Sequence, residues 1–363
     1  MDSQSASQGG ASRPEGDAVG RSTAVQPVVV HQSRGFFARF GKLLAVALVI
    51  SLLINLAQRS AYEDYFSEVR GIDEKFYSGS RVADEKIAVI RVEGAILQAD
   101  GYVKQQIDSV RRDEAVKAVV LRVDSPGGTV TASHYLYHHL RKLSDEREIP
   151  IVVSMGGLCA SGGYYIAMAV GDTEDAIYAE PTTWTGSIGV IIPYYNVTGL
   201  MESWNIEEES IVSGKFKQLA SPTNPMTEEE REILQSLVNE SFEEFKEVVR
   251  YGRPHFRENE QALDDVATGR VFSAEQARDQ RLVDRIGFVE DAVERAARLA
   301  NLDLENIRVI QYEEPFAGIL DLVASAQSSG NRGLDLAKLV DMAAPRAYYL
   351  CSWLPNLLGS AKP

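Results

Sequence analysis

Cysteine and histidine are scarce in this chain, and their scarcity excludes several classes of protein. The two cysteines, Cys159 and Cys351, are too few for a disulfide framework or for a cysteine metal cluster. The five histidines form no HExxH motif and no paired Cys/His spacing, which argues against a metal enzyme. We therefore expect neither a metal nor a cofactor. Cys159 is more typical of a small buried side chain than of a nucleophile.

Positive charge is in the minority. Lysine and arginine together number 37 against 52 aspartates and glutamates, which gives a formal net charge of −15 and a pI near 4.9. An acidic chain is repelled by polyanions, so nucleic acid and an anionic membrane surface are excluded as the main partner. A length of 363 residues is enough for one large domain or two modest ones.

Long apolar runs are rare too, and the clearest exception lies near the N-terminus. Residues 43–57 are uncharged, but these 15 residues fall short of the ~20 that a helix needs to cross hydrocarbon. Basic side chains at both ends can reach the interface and so extend the span. The preceding tail is long for a cleavable signal peptide, so we interpret residues 36–59 as a transmembrane signal anchor. Arg34, Arg39 and Lys42 predict a cytoplasmic N-terminus, with the remainder outside the inner (cytoplasmic) membrane.

The rest of the chain divides by composition and sequence pattern into a tail, a connector, a central domain and a C-terminal segment. Residues 1–35 are rich in serine, glycine and glutamine, and this predicts a disordered cytoplasmic tail because little apolar surface is available to bury. Residues 60–85 are interpreted as an amphipathic connector. Residues 86–310 alternate strand and helix patterns, which predicts an α/β fold with parallel strands and right-handed crossovers. Residues 311–363 mix apolar fragments with a flexible break, and their structure is left unassigned.

The alternation within 86–310 can be placed on particular segments. Runs of β-branched residues predict strands at 87–96, 116–123, 149–153, 176–179 and 188–192. Helical spacing predicts helices at 103–112, 129–143 and 291–300. Capping boxes that begin at Thr227 and Ser273 mark the starts of two more helices, which we interpret as packing elements.

Three glycine-bearing turns fall at strand ends, where sites in such folds are usually built. In the central turn Ser161 lies between a strand and a helix, and the flanking glycines leave room for a substrate backbone. Acyl transfer needs a nucleophile, a base and donors for the oxyanion. Ser161 is the candidate nucleophile, and the N–H groups of Gly162 and Gly128 are candidate donors. Taken alone, each turn is equally well explained as a packing turn.

The residues alone do not identify which side chain acts as the general base. His134, His138 and His139 lie on the helix that follows Gly128, so a Ser-His arrangement is one possibility. A solvated, partly aromatic helix face is the simpler explanation of these histidines. A desolvated lysine can also accept the proton. Lys215 and Lys217 would share one face of an extended segment, and composition does not choose between them.

Four motifs, in their order along the chain, resemble those of the signal peptide peptidase A family, which comprises membrane-anchored Ser/Lys proteases of the ClpP/crotonase fold. They are DSPGG at 124–128, ASGGYY at 160–165, TGSIGV at 185–190 and SGKFK at 213–217. The likeness covers residues 87–300. It implies that Ser161 is the nucleophile and that Lys217, rather than Lys215, is the general base. It also implies that Ser187 orients the lysine and that Gly128 and Gly162 provide the oxyanion donors.

The resemblance carries further expectations. It implies repeated β-β-α units of the ClpP/crotonase superhelix with C-terminal helical elements, and a short form with one protease repeat. The resemblance implies that this chain, like other short forms of the family, assembles into a homo-oligomeric ring. In such a ring the lysine of one subunit completes the active site around the serine of its neighbour. The implied substrates are remnant signal peptides or other apolar peptides. The alternative is a catalytically silent scaffold of the same fold that binds membrane proteins. A third possibility, an acyl-CoA hydratase of the related crotonase fold, is disfavoured because the three glycine-bearing turns hold no obvious carboxylate base.

Overall fold

The computed structural model describes residues 35–66, 72–314 and 347–350. The predictions for the tail 1–35 and for most of 311–363 therefore lie outside the described residues. The chain divides into two compact units, Met1–Glu68 and Val69–Pro363.

The described part of the first unit is one helix, α1 (Gly35–Phe66), of 32 residues. Its segment Gly41–Arg59 has a mean hydropathy of 1.9 and is long and apolar enough, by length and composition, to cross a membrane. The apolar side chains of that segment are exposed, as at Leu43 and Leu48, whose exposed fractions are 68% and 72%.

Eleven strands and eight further helices are described in the second unit. The strands are β1 (Glu74–Gly79), β2 (Lys86–Glu93), β3 (Val116–Ser125), β4 (Gly127–Thr129), β5 (Ile151–Ala160), β6 (Ile177–Ala179), β7 (Trp184–Gly186), β8 (Val271–Ser273), β9 (Arg285–Ile286), β10 (Arg308–Tyr312) and β11 (Tyr348–Leu350). The helices are α2 (Tyr102–Arg112), α3 (Val130–Arg147), α4 (Gly162–Ala167), α5 (Thr198–Ser203), α6 (Glu228–Gly252), α7 (Glu260–Val266), α8 (Ala274–Asp279) and α9 (Val289–Leu299).

The main sheet has the strand order β1-β10-β2-β3-β5-β6-β9, and β7 joins it beside β5 and β8. From β10 to β9 neighbouring strands are parallel, whereas β1 is antiparallel to β10. Helices α2 and α3 connect successive parallel strands, as the alternation of patterns predicted. The α/β fold class is thus confirmed.

Side chains alternate between the two faces of the sheet, and both faces are covered. On β2, Ala88 and Ile90 face the larger core, which includes apolar residues of α2, α3, α4 and α6. Ile87 and Val89 face the smaller core, which α9 closes. Because both faces are buried, β2, β3 and β5 are nearly continuous apolar runs, and this made them easy to recognise in the sequence.

The structure differs from the sequence-based expectations in three places. The connector 60–85 contains β1, an edge strand with mostly exposed side chains and hence little apolar pattern. Part of the predicted turn at 185–187 belongs to β7. Within the predicted strand at 188–192 there is one bridge, between Ile191 and Tyr348. Because Tyr348 lies far away in the sequence, the local pattern could not reveal this pairing.

Asp284 ties three elements together, so its removal should destabilise the domain strongly. One carboxylate oxygen accepts hydrogen bonds from the N–H groups of Ala176 and Ile177, at 3.0 and 2.9 Å. The other oxygen lies 2.8 Å from the buried guanidinium of Arg253. Asp284→Ala leaves these donors without a partner, and we expect the free energy of unfolding of the full chain in detergent to fall by about 3–5 kcal/mol in urea titrations.

The matched control is Asp175→Ala, which removes an exposed pair with Arg285 at 3.0 Å. This change should lower the free energy of unfolding far less than Asp284→Ala does, because both partners are exposed and solvent screens the pair. Equal losses for the two variants would contradict the structural role given to Asp284.

Candidate active site

Ser161 stands at the junction of β5 and α4, as the sequence predicted. Its backbone angles are φ 55° and ψ −115°, a region that costs roughly 1–3 kcal/mol for a residue with a Cβ. Two backbone hydrogen bonds hold this junction. The Ser161 N–H donates to the Gly186 carbonyl at 2.8 Å, and the Tyr165 N–H donates to the Ser161 carbonyl at 2.8 Å. The chain therefore changes from strand to helix within one strained residue.

Ser187 directly follows β7, the strand that pairs with the end of β5 next to Ser161. The parallel register pairs Ala160 of β5 with Gly186 of β7, so the two serines follow a matched pair at the same edge of the sheet. Ser187 also has a positive φ, 51°, and its N–H donates to the Arg270 carbonyl at 2.7 Å. Its side chain is buried. The structure thus brings together the two serines that the sequence singled out.

Gly128 and Gly162 lie against each other beside the same junction. A Cβ on Gly162 would lie 3.1 Å from the Gly128 nitrogen and would overlap the hydroxyl of Ser133. A Cβ on Gly128 would overlap the backbone of Ile96. Any larger residue at either position would therefore displace the backbone, and the two glycine amides adjoin because neither carries a side chain.

The hydroxyl of Ser161 is buried and has no hydrogen-bond partner among the described residues. The residue is only 1% exposed. An unpaired buried hydroxyl costs about 1–3 kcal/mol, and such groups in native folds call for a functional explanation. The hydroxyl of Ser133, on α3 next to Gly162, is equally without a described partner. No sequence pattern singles out Ser133, because a single serine in a helix is common.

Lys217 is not brought to Ser161 within this chain. Because no described residue bonds to the Ser161 hydroxyl, the Lys217 amine of the same chain does not do so. Residues 213–220 form bends and turns rather than an extended segment, and the Lys217 N–H donates to the Gly214 carbonyl at 3.1 Å. Lys215 forms an ion pair with Glu229. In the part of the chain that the structure covers, Lys217 is exposed and forms no ion pair.

The histidines belong to a helix face, which was the simpler of the two explanations. The Nδ1 atom of His134 lies 2.8 Å from the Tyr165 hydroxyl, and the His134 side chain is 50% exposed. Burial lowers the pKa of His139 to about 4. Cys159 is buried within β5, and burial raises the pKa of its thiol, so it stays protonated at neutral pH.

A cavity of about 380 Å³ opens beside Ser187. Its lining includes Ser187, Ile188, Val238, Phe242 and Leu350. The lining also includes Gln235, Asn239 and Thr268, so the cavity presents both apolar and polar groups.

The sequence analysis missed the contribution of the C-terminal tail. The segment Tyr348–Leu350 forms β11, which pairs antiparallel with β4, the strand that carries Gly128. Tyr349 is fully buried. The aromatic pair Tyr348-Tyr349 has strand propensity, but three residues are too short for periodicity to reveal a strand.

Comparisons with known proteins identify the family of this chain. Residues 144–303 match the model of peptidase family S49. A protein of Synechocystis sp. named as a protease is 39% identical over 233 residues, which cover 64% of this chain and 80% of that protein. A protein of Enterococcus faecium named as signal peptide peptidase SppA is 30% identical over 297 residues, with 76% and 83% covered. The chloroplastic serine protease SPPA of Arabidopsis thaliana is 29% identical over 279 residues, with 71% and 40% covered.

The family match includes the segments that carry Ser161, Ser187 and Lys217. Two relatives with at least 30% identity are covered over most of their own length. The chain therefore belongs to peptidase family S49, a family of serine proteases.

Proposed function

We propose that this protein is a membrane-anchored serine endopeptidase in which Ser161 is the nucleophile and Lys217 the general base. One observation carries the proposal. The buried hydroxyl of Ser161, without a partner among the described residues, lies on a strained junction beside the amides of Gly128 and Gly162. A nucleophile next to preformed oxyanion donors is the arrangement that acyl transfer requires.

The chemistry follows from these groups. The Ser161 oxygen attacks the peptide carbonyl carbon while an uncharged Lys217 amine accepts the hydroxyl proton. The amides of Gly128 and Gly162 stabilise the oxyanion of the tetrahedral intermediate. Lys217 then protonates the leaving amine, an acyl-enzyme remains on Ser161, and water hydrolyses it. Ser187, adjacent to Ser161 by register, is proposed to orient the lysine amine.

The lysine is proposed to come from a neighbouring copy in a homo-oligomeric ring. The incomplete site of the single chain supports this, because Lys217 is exposed while Ser161 is buried. The segment around Lys217 also carries large apolar side chains in solvent, such as Tyr195, Trp204 and Ile211. Exposed apolar surface of this kind favours contact with another chain.

The proposed substrates are remnant signal peptides or other apolar peptides near the bilayer. Ile188, Val238 and Phe242 in the lining of the cavity beside Ser187 offer contacts to apolar side chains of a substrate. The name of the Enterococcus faecium relative points to the same substrate class. The exposed apolar segment Gly41–Arg59 supports a single-pass anchor, and the basic residues before it support a cytoplasmic N-terminus with the catalytic domain extracytoplasmic.

Substitution of the proposed nucleophile or base should abolish hydrolysis. In the purified full chain, Ser161→Ala or Lys217→Ala should lower kcat/KM for an apolar peptide by about 10³-fold or more, since each removes a group that acts in the transition state. Lys215→Ala is the matched control, and it should stay within about twofold because an exposed ion pair contributes little. Near-normal activity of either catalytic variant would refute the assignment, and an equal loss in Lys215→Ala would transfer the role of base to Lys215.

A shared site can be detected by mixing the two inactive variants. Ser161→Ala subunits still carry Lys217, and Lys217→Ala subunits still carry Ser161. If each site joins a serine and a lysine from adjacent subunits, co-expression in equal amounts should restore about a quarter of wild-type activity, as random order around a ring requires. Mixtures that remain inactive after co-assembly, verified by size, would show that serine and lysine belong to one chain.

The membrane anchor can be tested by fractionation. The wild-type chain should stay with membranes after an alkaline carbonate wash, while Leu48→Lys combined with Leu52→Lys should move it to the soluble fraction. Each charge at the centre of a span costs about 2.5–3.5 kcal/mol on insertion scales. Lys42→Arg, which keeps the flanking charge, is the control that should remain bound. Release of the wild type by the wash, or cytoplasmic exposure of its catalytic domain to added protease, would refute the proposed topology.

A further inference from the structure

Ser125 ends β3, directly before the turn that leads to Gly128, and its hydroxyl both donates and accepts a hydrogen bond. The residue is fully buried. Its hydroxyl donates to the Gly94 carbonyl at 2.6 Å and accepts a bond from the Gly127 N–H at 3.1 Å. A serine that accepts from the N–H two residues ahead forms an ST turn. The hydroxyl therefore connects the segment after β2 to the turn before Gly128.

The two glycines that this hydroxyl joins have backbones that need to be held. Gly94 and Gly127 have φ angles of 71° and 96°, a region in which glycine moves with little steric restriction. Pro126, which separates Ser125 from Gly127, has no N–H. The Gly127 N–H is therefore the first main-chain donor after β3, and the Ser125 hydroxyl is its acceptor.

The peptide unit between Gly127 and Gly128 carries the Gly128 N–H, one of the two proposed oxyanion donors. The carbonyl of this unit accepts a hydrogen bond from the Ile96 N–H at 2.9 Å. In a planar trans peptide the N–H points away from the carbonyl, so this bond turns the Gly128 N–H to the other edge of β4, on which β11 pairs. A Cβ on Gly127 would overlap the Gly162 nitrogen. Gly127 thus adjoins both donors, and rotation of its backbone would change the direction of one relative to the other.

The main chain of Ser125 is itself fixed relative to the nucleophile. In the parallel register of β3 and β5, Ser125 pairs with Cys159, which precedes Ser161 by two residues. A Cβ on Gly163 would lie 3.0 Å from the Ser125 carbonyl oxygen, so α4 also packs closely against Ser125. Ser125 therefore has a backbone held by the strand of the nucleophile and a hydroxyl that holds the turn of the oxyanion donor.

We propose that Ser125 is a positioning residue for the reaction: its hydroxyl holds Gly127 so that the Gly128 N–H stays directed at the oxyanion. The inference rests on the proposed function of Ser161 and Gly128. Ser125 is buried and acts through Gly127 rather than on the substrate. Its contribution is made in the transition state, because negative charge develops on the carbonyl oxygen there and the direction of the donor then decides the stabilisation. Ground-state binding of the peptide does not depend on that charge and should change little.

Ser125→Ala should therefore lower kcat and leave KM nearly unchanged. In the purified full chain we expect kcat for an apolar peptide to fall by about 10- to 100-fold, because loss of an oxyanion donor costs about 10²–10³-fold and a misdirected donor keeps part of its effect. KM should stay within about twofold.

The matched control is Ser144→Ala. It removes a hydroxyl on α3 that donates to the Ile149 carbonyl at 2.8 Å, before the start of β5 and so at the opposite end of that strand from Ser161. Because this bond does not touch the turn at Gly127, kcat should stay within about twofold of the wild-type value.

Two inhibitors separate positioning from a general loosening of the site. A peptide aldehyde adds to the Ser161 hydroxyl and gives a tetrahedral adduct whose oxygen needs the donors. The same peptide with its scissile carbonyl reduced to a methylene has no oxygen to place there. Ser125→Ala should raise the inhibition constant of the aldehyde by about the factor lost from kcat, and it should leave that of the reduced peptide within about twofold.

The outcomes distinguish this proposal from the proposed function. A normal kcat in Ser125→Ala, equal weakening of both inhibitors, or an equal loss of kcat in Ser144→Ala would overturn the positioning role and leave the proposed function standing. Absence of any Ser161-dependent cleavage by the wild type would overturn both. If Ser125→Ala does not assemble as the wild type does, Ser125→Cys takes its place under the same criteria, because a thiol fills the space of the hydroxyl but forms weak hydrogen bonds.

Discussion

The strained junction at Ser161 is the constraint on which the remaining site depends. A residue with a Cβ occupies a positive φ there only because its surroundings hold it. The bond from its N–H to Gly186 ties β5 to β7, and the bond from Tyr165 to its carbonyl begins α4. The same strands set the register that places Ser187 beside Ser161. The parallel sheet therefore holds Ser161 more rigidly than a loop could, and the cost of the strain is offset by the buried core on both sides.

The second constraint is that one chain brings Ser161 and the amides of Gly128 and Gly162 together but leaves the Ser161 hydroxyl without a partner among the described residues. A buried hydroxyl without a hydrogen bond is destabilising by about 1–3 kcal/mol, whereas an exposed lysine keeps its hydration at little cost. If subunits assemble as we propose, the same event desolvates Lys217, pairs the Ser161 hydroxyl and covers apolar side chains such as Trp204. Activity would then depend on assembly, because the base is absent from an isolated subunit.

Much of the fold and part of the site could be predicted from the sequence, and the division has a physical cause. Strands β2, β3 and β5 are buried on both faces, so their apolar runs are unambiguous, and the capping boxes at Thr227 and Ser273 are local signals that the structure confirms. The motif residues at Ser161 and Ser187 follow from strand ends and glycines. The edge strand β1 and the three-residue β11 could not be predicted, because their positions come from distant pairing partners rather than from a pattern of their own.

The C-terminal strand β11 lies between two backbone segments that also flank Ser161 and Ser187. Its pairing with β4 and with Ile191 uses main-chain groups, so the register of β11 is set independently of its side chains. The Tyr349 ring then stacks on Tyr165, which belongs to the helix that Ser161 begins. Because α4 carries both Tyr165 and the Gly162 amide, the packing of β11 and the backbone of the candidate site are coupled through this short helix.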